Sequence, residues 1–468
     1  MIPKKVCTFS ELGYTISMVS KDTSQEHWLT TERLLIGVVL VAVFAMAART
    51  PLDSDMWWHL RAGEVTWKSG SPLLVDQFSY TRQGETWINH SWLSQVVMYL
   101  LFQLGSYQAL SAWVAVCAVL SVYFLSLQLK GNPFLRAGAM VLASMVSAVV
   151  WTPRPQIASL VLFALLGYLL YLYKWQRKNN LGWVIAIFML WSNLHGGYVL
   201  GLILMGTMIA GEILNWFLGW EGNELLSWKQ IGTLILWGMI GALVVVINPN
   251  GPKMWILPFQ TVGVGTLQDY IGEWASPDFH QINQQPFLWL LLATFGAVGI
   301  SERRLDGSDL VSVGLFTYLA LIARRNFGPF ALVAAPVLIR HLAEFFPAWW
   351  QRLKERWAWL ESIQTYRDRS EKTINPIVQQ SLNVAILLLL GLASVLKLIH
   401  VTRPEFVHEV EKGVFPVEAV KWIEENQPQG RMFNEYNWGG YLTWHLRDYP
   451  VFVDGRTDLY GDEVLGKY

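Results

Sequence analysis

Eleven apolar segments, each too rich in Leu, Val, Ile and Trp to face water, follow one another along the chain and leave it few ways to fold. They are 33–48, 107–129, 134–151, 155–173, 181–195, 198–218, 230–248, 285–300, 308–323, 327–342 and 377–399. A backbone in hydrocarbon must satisfy its own amides and carbonyls, and within one segment only a helix does so. Of 468 residues 15% are charged, where soluble domains carry about 25%. The expected fold class is therefore an all-α polytopic membrane protein with about 11 transmembrane helices.

Residues 1–32 carry scattered charge and no uninterrupted apolar core, so they read as a cytoplasmic tail and not as a cleaved signal. With that end inside, the basic residues Lys130, Arg136, Lys174, Arg177, Lys178, Lys229, Arg303 and Arg304 all fall on the cytoplasmic side. The linker 343–376 joins them. The agreement requires that Trp92–Leu104 does not cross, and its 13 residues are well short of the ~20 a crossing needs.

The first outer connection, 49–106, opens with two carboxylates, Asp53 and Asp55. Trp57, Trp58, Leu60, Val65 and Trp67, interleaved with His59, Arg61, Glu64 and Lys68, predict a short helix in the interface with its aromatic side in the headgroups. Trp92–Leu104, after Asn89-His90-Ser91, reads as a second interfacial or re-entrant helix. Asp55 is either a reactive acid or the N-cap of the first of these helices. Four cationic or titratable residues sit outside against the charge bias: Arg154, Arg324, Arg325 and His195. A bound phosphate explains them, as do lipid headgroups or helix C-termini. In the second long outer connection, 249–284, Glu273 is the acid best placed to share a cavity with Asp55, ordinary solvation being the alternative.

Residues 400–468 change character. A helix near 416–426, a strand at 430–433, a turn and helix through Asn437-Trp438-Gly439-Gly440-Tyr441 and a strand at 451–454 predict a small extracytoplasmic α/β domain. Its core is marginal alone, so it leans on the membrane portion or the chain is cut short. Cys7 and Cys117 are not placed to pair. No P-loop, dinucleotide fingerprint or CxxC pattern is present, and the spacing of His59, His90 and His195 fits no zinc signature.

The order of parts resembles a family. An acid after the first span, an amphipathic helix (Asp55-Met56-Trp57-Trp58-His59-Leu60-Arg61-Ala62-Gly63), an Asp-x-Phe turn (Asp76-Gln77-Phe78) and a His-bearing lead into a short helix (Asn89 to Leu93) look like the GT-C superfamily of polytopic glycosyltransferases. Protein O-mannosyltransferases and aminoarabinose–lipid A transferases share this order. Uncharacterised bacterial members are similar at Trp191-Ser192-Asn193-Leu194-His195-Gly196-Gly197, Gly272-Glu273-Trp274-Ala275-Ser276-Pro277 and Ala323-Arg324-Arg325-Asn326. The C-terminus resembles oligosaccharyltransferase catalytic subunits at Tyr436-Asn437-Trp438-Gly439-Gly440-Tyr441 and Val453-Asp454-Gly455-Arg456-Thr457, without the Asp of their WWDYG segment. Those enzymes place an acidic pair in the second outer loop to bind a metal. Here that loop reads Thr152-Pro153-Arg154-Pro155-Gln156.

The resemblance implies transfer of a sugar from a polyprenyl-phosphate donor to an extracytoplasmic lipid, polysaccharide or protein acceptor, with inversion, in a bacterial inner membrane. Its partners would be these substrates and membrane lipids, with no nucleic acid. Asp55 would be the base, with Asp53 as fallback and Glu273 beside it. Arg154, His195, Arg324 and Arg325 would hold the donor phosphate. His59, His90, Trp57, Trp58 and Asp76 are candidates for substrate contact, the two tryptophans being belt aromatics in the plainer reading. Tyr436, Trp438, Asp454, Arg456 and Asp458 are candidates for the acceptor. No cofactor is implied, and a divalent metal is not favoured because Arg154 stands where its ligands would be. A lipid-carrier-binding protein or a transporter is the alternative. A transporter calls for ionisable residues at mid-membrane, where Glu212 is the main one.

Overall fold

The structure, a computed structural model, describes residues 28–220, 224–263, 265, 271–357, 359–362 and 375–468. The expected tail 1–32 and part of the linker 343–376, with Arg367, Arg369 and Lys372, lie mostly outside the described residues, as does Cys7. All eleven apolar segments are helical. Among the described residues, six apolar helices are long enough to cross a bilayer: Trp92–Ser126, Pro133–Val150, Gln156–Trp175, Tyr198–Phe217, Arg324–Arg356 and Ile377–Val401. Packed among them are Thr31–Ala47, Trp183–Leu194, Trp228–Val244, Gln285–Ile300 and Gly307–Ile322, of 12 to 17 residues. The chain is an integral membrane protein.

Successive helices alternate in direction, so the connections around Asp55, Arg154, His195, Glu273 and Arg325 meet at one end. The opposite end is tied by charge. Lys174, fully buried, donates to Glu212, to Asp306 at 2.5 Å and to the Ser308 hydroxyl at 2.8 Å, joining three helices. Glu212, the acid that a transporter would expose to a pathway, is consumed in this clamp. Arg340 closes a second pair on Asp309 at 2.5 Å. Lys174→Met leaves two carboxylates in a low dielectric, and breaking such a pair costs about 3–5 kcal/mol. A clear drop in melting temperature in detergent is expected. An unchanged melting temperature would remove the clamp from the account of stability.

The first outer helix, α1 (Met56–Ser69), forms where expected but faces protein and not headgroups. Trp57 and Trp58 are 1% and 7% exposed, while Trp67 at 56% alone keeps the expected interfacial position. The amphipathic pattern is satisfied by the C-terminal segment, which covers the face assigned to lipid. Trp57 packs edge-on against Tyr107, Phe415 and Tyr441. The second outer helix is the first part of α2 (Trp92–Ser126), which leaves helical geometry at Gly105 (φ −153°, ψ 24°) and Ser106 (φ 49°, ψ −138°). Ser106 occupies a region that costs a non-glycine residue about 1–3 kcal/mol. The break frees Trp92–Leu104 to lie on α1, close enough that a methyl at Gly63 would strike the Gln95 carbonyl.

The α/β expectation for 400–468 fails in its strands. The helices form, at Pro404–Val414, Val417–Asn426, Gly439–His445 and Thr457–Leu465. No strand occurs among the described residues. Residues 430–433 are irregular, and 451–454 make a single parallel bridge, Ser79 to Val451. The side chain of Asn434 does the work of a neighbouring strand, accepting from Phe452 N–H and donating to Val453 C=O, both at 2.8 Å. Alternating Val and Phe specified an extended chain, but the backbone beside it, Phe78–Tyr80, bonds it at Val451 alone. Phe415, Val420, Tyr441, Leu442, Leu446 and Val451 share one apolar core with Met56, Trp57, Leu60 and Met98 of the outer helices and with Leu110 just past the break. The segment is thus held against the membrane portion by burial.

Candidate active site

Asp53 and Asp55 leave the membrane together and then diverge. Asp53 Oδ1 accepts the Asp55 N–H at 2.9 Å, so it closes the turn that starts α1. Asp55 occupies the N-cap position, yet its carboxylate makes no cap bond among the described residues. It accepts instead from Trp58 Nε1 at 3.1 Å and faces Arg154 Nη2 at 2.9 Å. The capping reading therefore does not account for it.

Arg154 is presented by a turn between two prolines at the start of Gln156–Trp175. Its guanidinium takes Glu273 in a two-pronged pair at 3.0 and 3.2 Å, Asp55 at 2.9 Å, and has Asp53 at 3.9 Å. Glu273 is positioned by backbone bonds across to the other arginine-bearing turn, Arg325 N–H to Glu273 C=O at 3.1 Å and Arg324 N–H to Ala275 C=O at 3.2 Å. Arg325 lies 3.7 Å from the Glu273 carboxylate and over the Trp274 ring at 4.3 Å. Three carboxylates face two guanidiniums. Burial pushes Asp55 up to about 7, the pull of Arg154 being outweighed with the help of Asp53. Burial also raises Asp53. Glu273 is buried too, but Arg154 and Arg325 together hold it below the usual range.

Asp55, Arg154, Glu273 and Arg325, but not Asp53, line a cavity of about 680 Å³. Asp55, Trp58, Arg154, Glu273 and Arg325 make its polar wall together with His59, His90 and His195. Leu160, Phe163, Leu200, Ile203, Leu319 and Ile322 make an apolar chamber that runs between the helices. His59 Nδ1 meets Gln95 Nε2 at 3.4 Å, and Gln95 is locked to Asn89 by two bonds of 2.8 Å. Burial holds both His59 and His90 below the usual histidine value, and His90 Nδ1 has no partner among the described residues.

The C-terminal segment supplies the roof. Gly455 lies so close to Asp55 that a methyl there would collide with Oδ1. Thr457 and Tyr436 meet through their hydroxyls at 2.8 Å, and Asp458 takes Trp87 Nε1 at 3.3 Å. Burial raises Asp458, and burial beside Asp55 keeps the Tyr436 phenol protonated well past the usual range.

Several expected residues stand elsewhere. Arg324 turns away and donates to the Gly272 carbonyl. Trp57 is in the apolar core, and Trp438 does not line the cavity. Asp76, Asp454 and Arg456 form a buried knot behind the roof: Arg456 donates to Asp454 at 2.7 Å and to Asp76 at 2.5 Å, and its guanidinium lies 5.0 Å from the centroid of the Phe78 ring. Ser159, Thr457 and Gly455 belong to the site and were not singled out from sequence. Gly455 sat in a turn pattern that reads as ordinary, and Ser159 in an apolar helix.

The helical bundle thus carries a cavity roofed by the C-terminal segment. No family model matches the sequence, and no curated protein matches it. Among solved structures, the apo oligosaccharyltransferase of Archaeoglobus fulgidus aligns over 92% of this chain with a TM-score of 0.53 and 12% identity. The same enzyme tethered to an acceptor peptide with the NVT sequon gives 0.50 and 13%, again over 92%. In both, this chain spans 65% of the enzyme's length. ArnT from Cupriavidus metallidurans bound to undecaprenyl phosphate aligns over 93% of this chain and 88% of its own, with a TM-score of 0.48 and 14% identity. The likeness to the archaeal enzyme establishes the fold.

Proposed function

We propose that the protein is a glycosyltransferase that moves a sugar from a polyprenyl-phosphate donor to a hydroxyl acceptor at the membrane surface. The observation that carries this reading is Asp55: a carboxylate released from capping, tuned near neutrality, and set in a cavity that also holds Arg325, His195 and an apolar chamber. A lipid tail suits the chamber, and a phosphate suits the wall that holds Arg325 and His195. Asp55 takes the acceptor proton as the oxygen attacks the anomeric carbon, and the donor C–O bond breaks toward the phosphate. A single displacement inverts the anomeric centre. Tyr436 and Thr457, roofing the cavity beside Asp55, offer hydroxyl partners to the acceptor. The basic residues Lys130, Arg136, Lys174, Arg177, Lys178, Lys229, Arg303 and Arg304 collect at the far end, which supports a cavity opening away from the cytoplasm of a bacterial inner membrane.

The guanidinium of Arg154 lies among Asp53, Asp55 and Glu273, where a metal shared by those carboxylates would sit. Those carboxylates are turned to the guanidinium, and a divalent ion, which binds through carboxylate and water oxygens, would have to displace it. Arg154 therefore belongs with the carboxylates and not with the phosphate, and transfer is expected to persist in excess chelator. Loss of transfer that added magnesium or manganese restores would overturn this assignment.

Arg325→Ala should weaken binding of undecaprenyl phosphate about 10- to 100-fold, the worth of a hydrogen bond to a charged group. Arg303→Ala, which breaks a pair with Glu224 at the other end of the bundle, should leave it unchanged. Equal losses in the two variants would sink the phosphate assignment. The defining test is release of polyprenyl phosphate from a panel of polyprenyl-linked sugars by the purified protein in lipid, with acceptor alcohols supplied. Release by wild type and not by Asp55→Asn supports transfer. Binding without release across the panel points to a carrier-binding protein.

A further inference from the structure

The stretch Trp191 to Gly197 has no part in the reaction as written above except through His195. Its geometry nonetheless converges on that one ring. The Trp191 indole can only donate, and it donates to Ser159 Oγ at 2.7 Å. The Ser159 hydroxyl, having accepted there, stands 2.8 Å from His195 Nδ1 with its own hydrogen to give. The Gly197 N–H reaches the same nitrogen at 3.1 Å. Two donors thus point at Nδ1, which must carry a lone pair and no hydrogen. The approach is tight: a methyl on Gly197 would come within 2.5 Å of Ser159 Oγ and 2.9 Å of Nδ1.

The rest of the turn is anchored as firmly. Ser94 donates to the Leu194 carbonyl at 2.7 Å, Asn248 to the Ser192 carbonyl at 2.8 Å, and Trp92 Nε1 to the Asn193 side chain at 2.8 Å. The carbonyls that a helix end leaves unpaired are therefore held by neighbouring helices. The hydrogen bonds to the ring among the described residues are all at Nδ1, none reaches the far nitrogen Nε2, and His195 lines the cavity. The ionisable groups that bear on it are His90, Arg325 and Arg154. Two of these are cations and oppose a second proton on the ring. The cavity carboxylates Asp55 and Glu273 are turned to Arg154.

We propose that this turn and Ser159 hold His195 as a permanently neutral imidazole whose Nε2–H donates to a phosphate oxygen of the lipid-linked substrate beside Arg325. The inference rests on the phosphate-binding reading above and assigns a role that excludes two others. His195 takes no proton from the acceptor, because Nε2 is already protonated. It gives none to the leaving group, because the product would be an imidazolate. Ser159 and Trp191 act as positioning residues, through His195 alone.

The test has two readouts on the intact protein in detergent. Imidazole nitrogen NMR should show His195 as the neutral Nε2–H form from roughly pH 5 to 8, with the Nε2–H resonance shifting when undecaprenyl phosphate is added. His195→Ala should bind undecaprenyl phosphate about tenfold or more weakly, and His195→Gln, which keeps an N–H at that reach, should recover most of the affinity. Ser159→Ala should raise KM with kcat little changed and admit a second tautomer in the spectrum. Trp191→Phe, which keeps the ring in place, should do the same if Ser159→Ala proves unstable. An Nδ1–H form, a titration of His195 inside that window, or wild-type affinity in His195→Ala would overturn the proposal. So would failure of undecaprenyl phosphate to bind the wild type. Weaker binding by His195→Ala without transfer of any panel sugar would uphold His195 and reject the transferase reading.

Discussion

Asp55→Asn is expected to lower transfer by about 10²–10⁴-fold, the usual contribution of a positioned base, with binding of undecaprenyl phosphate retained. The amide keeps the shape and the bond from Trp58 Nε1, and it loses the charge that faces Arg154 and the ability to accept a proton. The pH dependence follows from the same carboxyl. Since the ionised form is the base and the group titrates at about 7, the wild-type rate should climb as pH rises through about 7. Stability runs the other way. A carboxyl whose value is raised above the unfolded one, near 3.9, favours the folded state when protonated, and that contribution fades as pH rises from about 4 to about 7. Asp55→Asn should therefore match wild type in stability at acid pH and exceed it above neutrality. A variant that retains wild-type turnover with equal expression would remove Asp55 from the chemistry, and one that loses stability at pH 8 would show that the carboxylate serves the fold.

The largest structural effect is expected at Arg456→Met. Arg456, Asp454 and Asp76 are buried, and the guanidinium satisfies both carboxylates. Removing it strands two acids, at a cost of about 3–5 kcal/mol. The loss should be local first, because the knot fastens the roof to the outer connection. Faster amide exchange and easier proteolysis within 430–468 should precede any change in the bundle. Arg447→Ala offers the contrast: its pair with Glu64 at 3.1 Å is half exposed, and such pairs are worth about 1 kcal/mol or less. If the two variants behave alike, the knot does not hold the roof.

The bundle was legible because a bilayer allows so few solutions, and each apolar segment read from the chain is a helix. What lies at the surface was less so. The Trp57 and Trp58 face looks the same from sequence whether lipid or protein covers it, and the covering residues, Phe415 and Tyr441, are far along the chain. Arg154 was assigned to a phosphate because it sat against the charge bias. The partners that explain it, Asp55 and Glu273, lie in two other connections. Arg456 and Asp454 sit in a turn whose resemblance pointed to an acceptor, yet their bonds run backward to Asp76. The expected residues that line one cavity, among them Asp55, His59, His90, His195, Glu273 and Arg325, share one property legible without a fold: each is polar and lies where the chain leaves hydrocarbon.

The contact of Gly455 with Asp55 has a consequence for biosynthesis. A ribosome delivers the chain from its amino end, so Asp55 enters the membrane while the roof is still untranslated. Until the last helix is inserted and the final segment docks, the carboxylate stands in open water and the chamber has no ceiling. The cavity is therefore completed only after residues 430–468 have docked on the bundle. A chain arrested before them leaves a lipid-embedded bundle whose cavity has no roof.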